Sequence, residues 1–239
     1  MIPKRIHYCW FGGSQLPELA QKCIASWHSL MPDYEYKLWN EENFDVNQIP
    51  YTKEAYEAKR YAFVSDYVRL WALEKDGGIY LDVDFFVYKS FDDLLHLKAF
   101  AGFEGSKHLP MMMGVIASEA HGVWVKEQLM YYQDRHFVTS DGKMDLTTNV
   151  QFVSEKMRNQ GFVQNGEEQD YKDLHIFPVD YFCPRQTTQE YFKTGNTHCE
   201  SLGLASWLGQ GKTWKTMVVR MIDTKSLPFL IKLKRKLFG

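Results

Sequence analysis

The chain has 239 residues, of which 45% are hydrophobic and 24% are charged. This length and balance are typical of one large folded domain, and they exclude a disordered, collagen-like or coiled-coil chain. Because 28 Lys and Arg face 30 Asp and Glu, the formal net charge is −2, and so balanced a chain is a poor general binder of nucleic acid.

The four cysteines and the lack of long apolar runs predict a protein of a reducing compartment. No two cysteines form a C-x-x-C pair, so a structural zinc site is not expected. The first residues enter fold-like sequence without an apolar run of signal-peptide length, and no stretch approaches the roughly 20 apolar residues of a membrane span. We therefore expect free thiols and a cytoplasmic protein.

The predicted elements alternate between strands and helices. In chain order they are a strand at Arg5–Trp10, a helix at Leu16–Leu30, a strand at Tyr34–Trp39, a helix at Thr52–Asp76, strands at Ile79–Val83, Ala99–Glu104 and Met112–Ala117, and helices at His121–Arg135 and Thr148–Gln160. Glycine pairs follow the first strand and the longest helix, as tight turns and helix ends require. This alternation predicts an α/β fold with a mostly parallel central sheet flanked by helices, in one domain over residues 1–224.

The longest predicted helix carries charges on an otherwise apolar surface. Residues 61–73 are apolar around most of the helix, which predicts burial on most sides, yet they include Ser65, Asp66 and Arg69. Asp66 and Arg69 are three residues apart and therefore share a face. Two interpretations stay open: a structural ion pair that ties the helix to the sheet, or a polar face that lines a ligand cleft.

Two aspartates end the strand that follows this helix. Asp82 and Asp84 project to one side of an extended chain, at the carboxyl end of a strand, where open α/β sheets bind their ligands. Neighbouring carboxylates repel each other unless a cation lies between them, and their hard oxygens suit Mg²⁺ or Mn²⁺. The pattern predicts a divalent metal site with positions left open for a diphosphate, although a D-x-D triplet alone also fits a solvated acidic turn.

Two motifs resemble a known enzyme family. Ser65-Asp66-x-x-Arg69 and Asp76-Gly-Gly-Ile-Tyr-Leu-Asp-Val-Asp84 are similar to the signature of the "glycosyltransferase sugar-binding region containing DXD motif" family. These are GT-A enzymes of the Och1-like, capsular-polysaccharide type (glycosyltransferase family 32), distantly similar to the clostridial glucosylating toxins. The resemblance is strong over residues 1–105 and looser over residues 106–210.

The resemblance implies a binding site for a nucleotide sugar, a UDP-sugar or a GDP-sugar. The implied donor-binding residues are Trp10, Asn40, Tyr61, Ser65, Asp66, Arg69, Tyr80, Asp82, Ser206 and Trp207. Within this set Trp10 would stack on the base, Asp66 would bond sugar hydroxyls, and Arg69 would bridge the sugar and the phosphates. The implied catalytic residues are Asp66, Arg69, Asp82 and Asp84.

The resemblance also implies Mn²⁺ or Mg²⁺ as cofactor. Many relatives carry a His-His pair shortly before a closing Ser-Trp, and an ungapped alignment puts Ser201 and Leu202 at that pair. His198 and Glu200 are nearby substitutes. The predicted metal ligands are therefore Asp82, Asp84, His198, Glu200 and Ser201, with a site completed by water as the alternative.

The predicted activity is metal-dependent transfer of a sugar from a nucleotide sugar to a glycan or lipid-linked glycan in surface polysaccharide synthesis, with the retaining stereochemistry that the resemblance implies. Two other interpretations stay open. A phosphohydrolase of the haloacid-dehalogenase type would use Asp82 as nucleophile and Asp84 as acid and base. A non-catalytic nucleotide-sugar-binding protein would be consistent with the missing His pair.

A basic segment at residues 225–239 contains five Lys and Arg residues and no acid. Over residues 227–238, Leu230, Leu233 and Leu237 share one helical face, and basic side chains occupy much of the remaining surface. This pattern is typical of a short helix on an anionic membrane surface. The alternative is a C-terminal helix that packs on the domain with its lysines in solvent.

Overall fold

The computed structural model describes residues 1–105, 110–184, 191 and 193–203. The strands in these ranges are β1 Arg5–Cys9, β2 Glu35–Trp39, β3 Gly78–Leu81, β4 Phe85–Val87, β5 Ala99–Gly102, β6 Val115–Ser118, β7 Gln169–Tyr171, β8 Leu174–Phe177 and β9 Cys199–Ser201. The helices are α1 Glu18–Leu30, α2 Pro50–Glu57, α3 Tyr61–Asp76, α4 Val123–Met130, α5 Asn149–Arg158 and α6 Val179–Phe182, with a 3-10 turn at Asp92–Leu94. No helix in these ranges is both long and apolar enough to cross a membrane.

The central sheet has the strand order β2-β1-β3-β6-β5-β8-β7. The pairings set β1, β2, β3, β5 and β8 in one direction, and β6 and β7 run the opposite way. The predicted α/β fold with a mostly parallel sheet is therefore confirmed. Because β6 is reversed between β3 and β5, the residues that precede it lie at the sheet edge where β3 and β5 end.

Helices cover both faces of this sheet. The fully buried strand β3 shows how, because Tyr80 belongs to one core cluster while Ile79 and Leu81 belong to the other. The cluster around Tyr80 includes the apolar side of α3. The other cluster includes Trp27 from α1 and Met31, which directly follows α1. The alternating side chains of an extended strand thus anchor one helix layer on each face.

The long helix predicted at Thr52–Asp76 is in fact two helices, α2 and α3. Between them Lys59 adopts a left-handed conformation with φ of 56°. The Lys59 N–H donates to the Tyr56 carbonyl at 2.9 Å, and the Arg60 N–H donates to the Ala55 carbonyl at 2.8 Å. These two bonds are the closure that ends many helices, usually with glycine at the left-handed position. The break was missed because lysine occupies that position here.

Other predicted boundaries also moved. The strand predicted at Met112–Ala117 begins only at Val115, and the helix predicted at His121–Arg135 covers Val123–Met130. The predicted start of α5 is confirmed, because Thr148 forms a reciprocal capping box with Gln151. The short strands β4, β7, β8 and β9 were not predicted, since three or four residues give no readable alternation.

The cysteines carry free thiols, as predicted. Cys9, Cys23 and Cys199 are buried. Burial raises the pKa of the Cys9 and Cys23 thiols to about 12. A buried thiol that stays protonated at neutral pH is chemically inert.

Replacing Lys59 with glycine should stabilise the protein by about 1 kcal/mol, because glycine adopts the left-handed conformation without a side-chain clash. The control is Lys53→Gly in the exposed interior of α2, which should cost about 1 kcal/mol. Urea unfolding measures both. An equal loss of stability from both substitutions would contradict the left-handed assignment.

Candidate active site

Three parallel strands end side by side at one edge of the sheet. Cys9 on β1 pairs with Trp39 on β2, and His7 on β1 pairs with Tyr80 on β3. The residues that follow these strand ends are Trp10, Asn40 and Asp82. The structure therefore brings the predicted aromatic, amide and acidic positions to the same edge.

Arg69 connects α3 to the end of β3. Its Nη2 atom lies 2.8 Å from Oδ1 of Asp66 and 3.5 Å from Oδ1 of Asp82. Its Nη1 atom donates to the Met113 carbonyl, just before β6. One guanidinium thus bonds to α3, the D-x-D segment and the residues that precede the reversed strand.

Tyr80 orients the first aspartate of the pair. Its hydroxyl donates to Oδ1 of Asp82 at 2.8 Å. The Arg69 guanidinium lies over its ring, 4.6 Å from the ring centre, a cation–π distance. Asp82 therefore accepts from a fixed phenol on one side and lies beside a fixed cation on the other.

Exposure increases along this series of charges. The side chains of Arg69, Asp66 and Asp82 are 7%, 14% and 36% exposed. Burial disfavours the charged guanidinium, but Asp82, Tyr80 and Asp66 raise the pKa of Arg69 above its ordinary value, so it stays cationic. Burial also raises the pKa of Asp66 to about 6, although Arg69 acts in the opposite direction. The Asp66–Arg69 pair is therefore buried, and Arg69 reaches the more exposed strand end through Asp82.

Asn149, the first residue of helix α5, forms hydrogen bonds to Asp66. The Asn149 side chain donates from Nδ2 to the Asp66 carbonyl at 3.2 Å. The Asn149 backbone N–H bonds to the Asp66 carboxylate and lowers the pKa of that group. The sequence pattern Thr147-Thr148-Asn149 favours a helix N-terminus over a site. The structure shows that Asn149, which is 3% exposed, starts helix α5 and also contacts Asp66.

Asp84 lies beside the last described strand. The antiparallel pair β4–β9 aligns Phe85 with Ser201. The Ser201 hydroxyl donates to Oδ2 of Asp84 at 3.3 Å, and the Leu202 N–H donates to the Asp84 carbonyl at 2.8 Å. Among the predicted third ligands, Ser201 is therefore the one next to the D-x-D segment.

His198 and Glu200 occupy other positions. His198 is 1% exposed, and its ring nitrogens lie 2.7 Å from the Asn196 carbonyl and 3.0 Å from the Asp93 carboxylate. Both ring nitrogens are therefore engaged by groups other than Asp82 and Asp84, and His198 as a metal ligand stays a prediction. Glu200 accepts a hydrogen bond from Tyr88 on the β4–β9 side, and the structure does not group it with Asp82 and Asp84.

The side-chain oxygens of Asp82, Asp84 and Ser201 fit a hard divalent cation that is held by few protein ligands. Within the described ranges, no three or more His, Cys, Asp or Glu residues are grouped to hold a metal ion. Asp82, Asp84 and Ser201 offer carboxylate and hydroxyl oxygens, and Mg²⁺ or Mn²⁺ commonly binds one or two carboxylates plus water and phosphate. Gly114 leaves room at the site, because a Cβ there would lie 2.9 Å from Oδ2 of Asp82.

Four further predicted donor residues lie around the same edge. Trp10 is half-buried and packs against the small apolar cluster formed by Ala20 and Val83. Oδ1 of Asn40 accepts from the Glu42 N–H at 2.9 Å, which closes a turn after β2. Tyr61 and Ser65 lie on the first turns of α3, where the Ser65 hydroxyl donates to the Tyr61 carbonyl at 3.2 Å. The predicted residues Ser206 and Trp207, and the segment 225–239, lie outside the described ranges.

Glu104 is an acidic residue of this edge that sequence analysis missed. It follows β5 and is half-buried. Burial, together with the negative charges of Asp82 and Asp84, raises the pKa of Glu104 to about 7. The usable signal was its position at the end of a predicted strand, the same signal that identified Asp82.

Removing the Arg69 guanidinium should destabilise the protein strongly. Arg69→Ala leaves Asp66 as a buried charge without its partner, a change that typically costs about 3–5 kcal/mol. Arg158→Ala, at an exposed position on α5, should change stability by less than about 0.5 kcal/mol. Urea unfolding compares the two. Equal unfolding midpoints would show that Arg69 does not hold the site together.

The Glu104 carboxylate should make stability depend on pH. Its pKa in the folded protein, about 7, lies above the ordinary value of 4.5. A raised acid pKa means that stability is lost as the pH increases from the ordinary value through the folded one. Glu104→Gln should therefore melt close to wild type at pH 5 and above it at pH 8, while exposed Glu155→Gln should follow wild type at both. A melting difference that stays constant with pH would contradict this.

Residues 17–101 match the family model described as "Glycosyltransferase sugar-binding region containing DXD motif". The chain is 38% identical over 102 residues to inositol phosphoceramide mannosyltransferase 3 of Schizosaccharomyces pombe, a match that covers 41% of this chain and 28% of that protein. It is 33% identical over 108 residues to a mannosyl phosphorylinositol ceramide synthase of Saccharomyces cerevisiae, covering 42% of this chain and 27% of that protein. The chain thus spans less than a third of these relatives.

A solved structure shows the same fold. It is a glycosyltransferase involved in the glycosylation of the major capsid of PBCV-1, with a TM-score of 0.50 and 10% sequence identity over 90% of this chain and 99% of that chain. At this identity the likeness concerns the fold alone. The sequence matches confirm the resemblance: residues 17–101, which include Asp82-Val83-Asp84, are similar to a glycosyltransferase sugar-binding region with a D-x-D motif.

Proposed function

We propose that this chain transfers a sugar from a nucleoside-diphosphate sugar to a hydroxyl group of an acceptor, using Mn²⁺ or Mg²⁺ at Asp82 and Asp84. The observation that carries the proposal is the position of Arg69. A cation fixed 3.5 Å from Asp82, at the strand ends where α/β sheets bind ligands, contributes positive charge to a phosphate bound beside the D-x-D motif. UDP and GDP are the candidate leaving groups.

The proposed chemistry is the departure of a nucleoside diphosphate from the sugar. Negative charge develops on the diphosphate as the sugar–phosphate bond breaks, and a bound divalent cation supplies neutralisation of that charge. Arg69 stabilises the same charge, because it is permanently cationic and needs no reorganisation when the bond breaks. Asp66, held by Arg69 and by α5, is the acceptor for hydroxyl groups of the donor sugar.

The proposed stereochemistry is retention, which follows from the family resemblance. Attack takes place on the face from which the diphosphate leaves, and the departing phosphate takes the proton of the acceptor hydroxyl. In this scheme Asp82 and Asp84 stay with the cation, and no carboxylate of the site forms a bond to the sugar. Tyr80 keeps Asp82 in the position that this role requires, through its 2.8 Å hydrogen bond.

A lipid-linked or glycan acceptor is part of the proposal. The names of two relatives describe mannosyl transfer involving inositol phosphoceramide or its mannosylated product, a lipid with a hydroxyl-rich head group. The basic segment 227–238 would hold the enzyme on an anionic membrane surface, where each basic residue contributes about 1 kcal/mol. The free thiols agree with a reducing, cytoplasmic site of action, and the proposed role there is surface polysaccharide synthesis.

The alanine variant of Asp84 tests the metal role. In the wild type, calorimetry should detect UDP or GDP binding that depends on Mn²⁺, and a panel of nucleotide sugars should identify a donor that is consumed. Asp84→Ala should weaken Mn²⁺-dependent binding by more than about tenfold, or 1.4 kcal/mol. The melting temperature should not fall much, because the change removes a carboxylate that repels its neighbours.

The control is Asp134→Ala, which removes an exposed carboxylate far from the D-x-D motif in sequence and should bind like wild type. Unchanged Mn²⁺-dependent binding by the Asp84 variant would contradict the metal assignment. Release of phosphate from simple phosphomonoesters, lost in Asp82→Asn and independent of nucleotide sugars, would favour a phosphohydrolase instead. Nucleotide binding without turnover of any donor or acceptor would favour a non-catalytic binding protein.

A further inference from the structure

We propose that Glu41 is a positioning residue for the Trp10–Ser14 loop, and that it acts on binding of the base end of the nucleoside diphosphate. The inference rests on the proposed function, because it assigns the loop to that ligand. Glu41 follows Asn40 at the end of β2 and is exposed. Neither the motif pattern nor the resemblance singled it out.

The Trp10–Ser14 loop leaves β1 at the same edge as the D-x-D motif. The Trp10 N–H donates to the Trp39 carbonyl at 3.0 Å, so the loop starts as a continuation of the β1–β2 pair. The Trp10 side chain then donates from Nε1 to the Ser14 carbonyl at 2.7 Å. The indole N–H closes its own loop, which leaves the ring and not its polar atom for contact with a flat base.

Glu41 bonds this loop to helix α2. Its Oε1 atom accepts from the Gly12 N–H at 2.5 Å. The same carboxylate bonds the Tyr56 hydroxyl, a contact that raises the pKa of that phenol. A single carboxylate therefore links the segment after β1, the segment after β2 and a residue near the end of α2.

The Tyr61 ring packs against the Trp10–Ser14 loop at Gly12. Gly12 has a φ of +93°, and a Cβ on it would lie 2.3 Å from the Tyr61 ring. The Tyr61 ring is 5.3 Å from the ring of Tyr56, centre to centre. Gly12 is therefore fixed between an aromatic ring and the Glu41 carboxylate, and the loop has little freedom while both contacts hold.

The effect of Glu41 should fall on binding more than on folding. An exposed hydrogen bond contributes little to global stability. A loop that is already ordered costs less to fix around a ligand, which is the advantage of preorganisation. Because Glu41 acts at the base end and Asp84 at the diphosphate end, a ligand without a base separates the two roles.

The experiment compares binding of a nucleoside diphosphate with binding of pyrophosphate by the whole 239-residue chain. Calorimetry with Mn²⁺ measures the dissociation constants of UDP, GDP and inorganic pyrophosphate for wild type, Glu41→Ala and Glu41→Gln. Glu41→Ala should weaken the preferred nucleotide about tenfold by the loss of preorganisation, while pyrophosphate affinity stays within about twofold. Glu41→Gln should recover part of the loss, because its amide oxygen can still accept from the Gly12 N–H.

The neighbouring Glu42→Ala removes an equally exposed carboxylate and is the matched control, expected to bind both ligands like wild type. Nucleotide affinity of Glu41→Ala equal to that of Glu42→Ala would overturn the inference while leaving the proposed function intact. Equal weakening of nucleotide and pyrophosphate would also overturn it, since that pattern reports general damage to the site. If the wild type binds pyrophosphate but no nucleotide, or neither, the proposed function fails first and the inference fails with it.

Discussion

A buried cation, Arg69, determines how α3 meets the D-x-D motif. A guanidinium that is 7% exposed is stable only where carboxylates and carbonyls surround it. Asp66, Asp82 and the Met113 carbonyl supply these partners from three segments distant in sequence. The position of α3, the end of β3 and the residues before β6 are therefore coupled, and a shift in any of them would leave a buried charge unpaired.

The reversed strand β6 determines which residues lie next to Asp82. Its antiparallel pairing with β3 puts Gly114 beside Asp82, whose N–H donates to the Gly114 carbonyl at 2.8 Å. A side chain at Gly114 would collide with the Asp82 carboxylate and the Phe85 ring. The backbone at Gly114 therefore packs closely against Asp82 and Phe85. The charged residues lie at the strand ends, with the Trp10–Ser14 loop beside them.

Strong local patterns made part of this structure predictable. The apolar helix with Asp66 and Arg69, followed by an apolar strand ending in two aspartates, needs only helical and extended periodicity to be recognised. Long-range pairing was not accessible in the same way. The direction of His198 depends on the β4–β9 ladder, which joins residues more than 100 positions apart. The left-handed Lys59 likewise carries no distinctive sequence signal. The Thr147-Thr148-Asn149 pattern predicts a helix N-terminus, but the contact of Asn149 with Asp66 is again a long-range one.

The central claim is that a divalent cation and a diphosphate bind between Asp84 and Arg69 at the ends of β1, β2 and β3. A crystal structure of the protein with Mn²⁺ and its preferred nucleoside diphosphate, measured at the manganese absorption edge, tests this most directly. The account predicts an anomalous peak within coordination distance of the Asp84 carboxylate, about 2.0–2.3 Å, with phosphate oxygens in contact with Arg69. Manganese bound at another place, with the nucleotide absent from this edge, would contradict it.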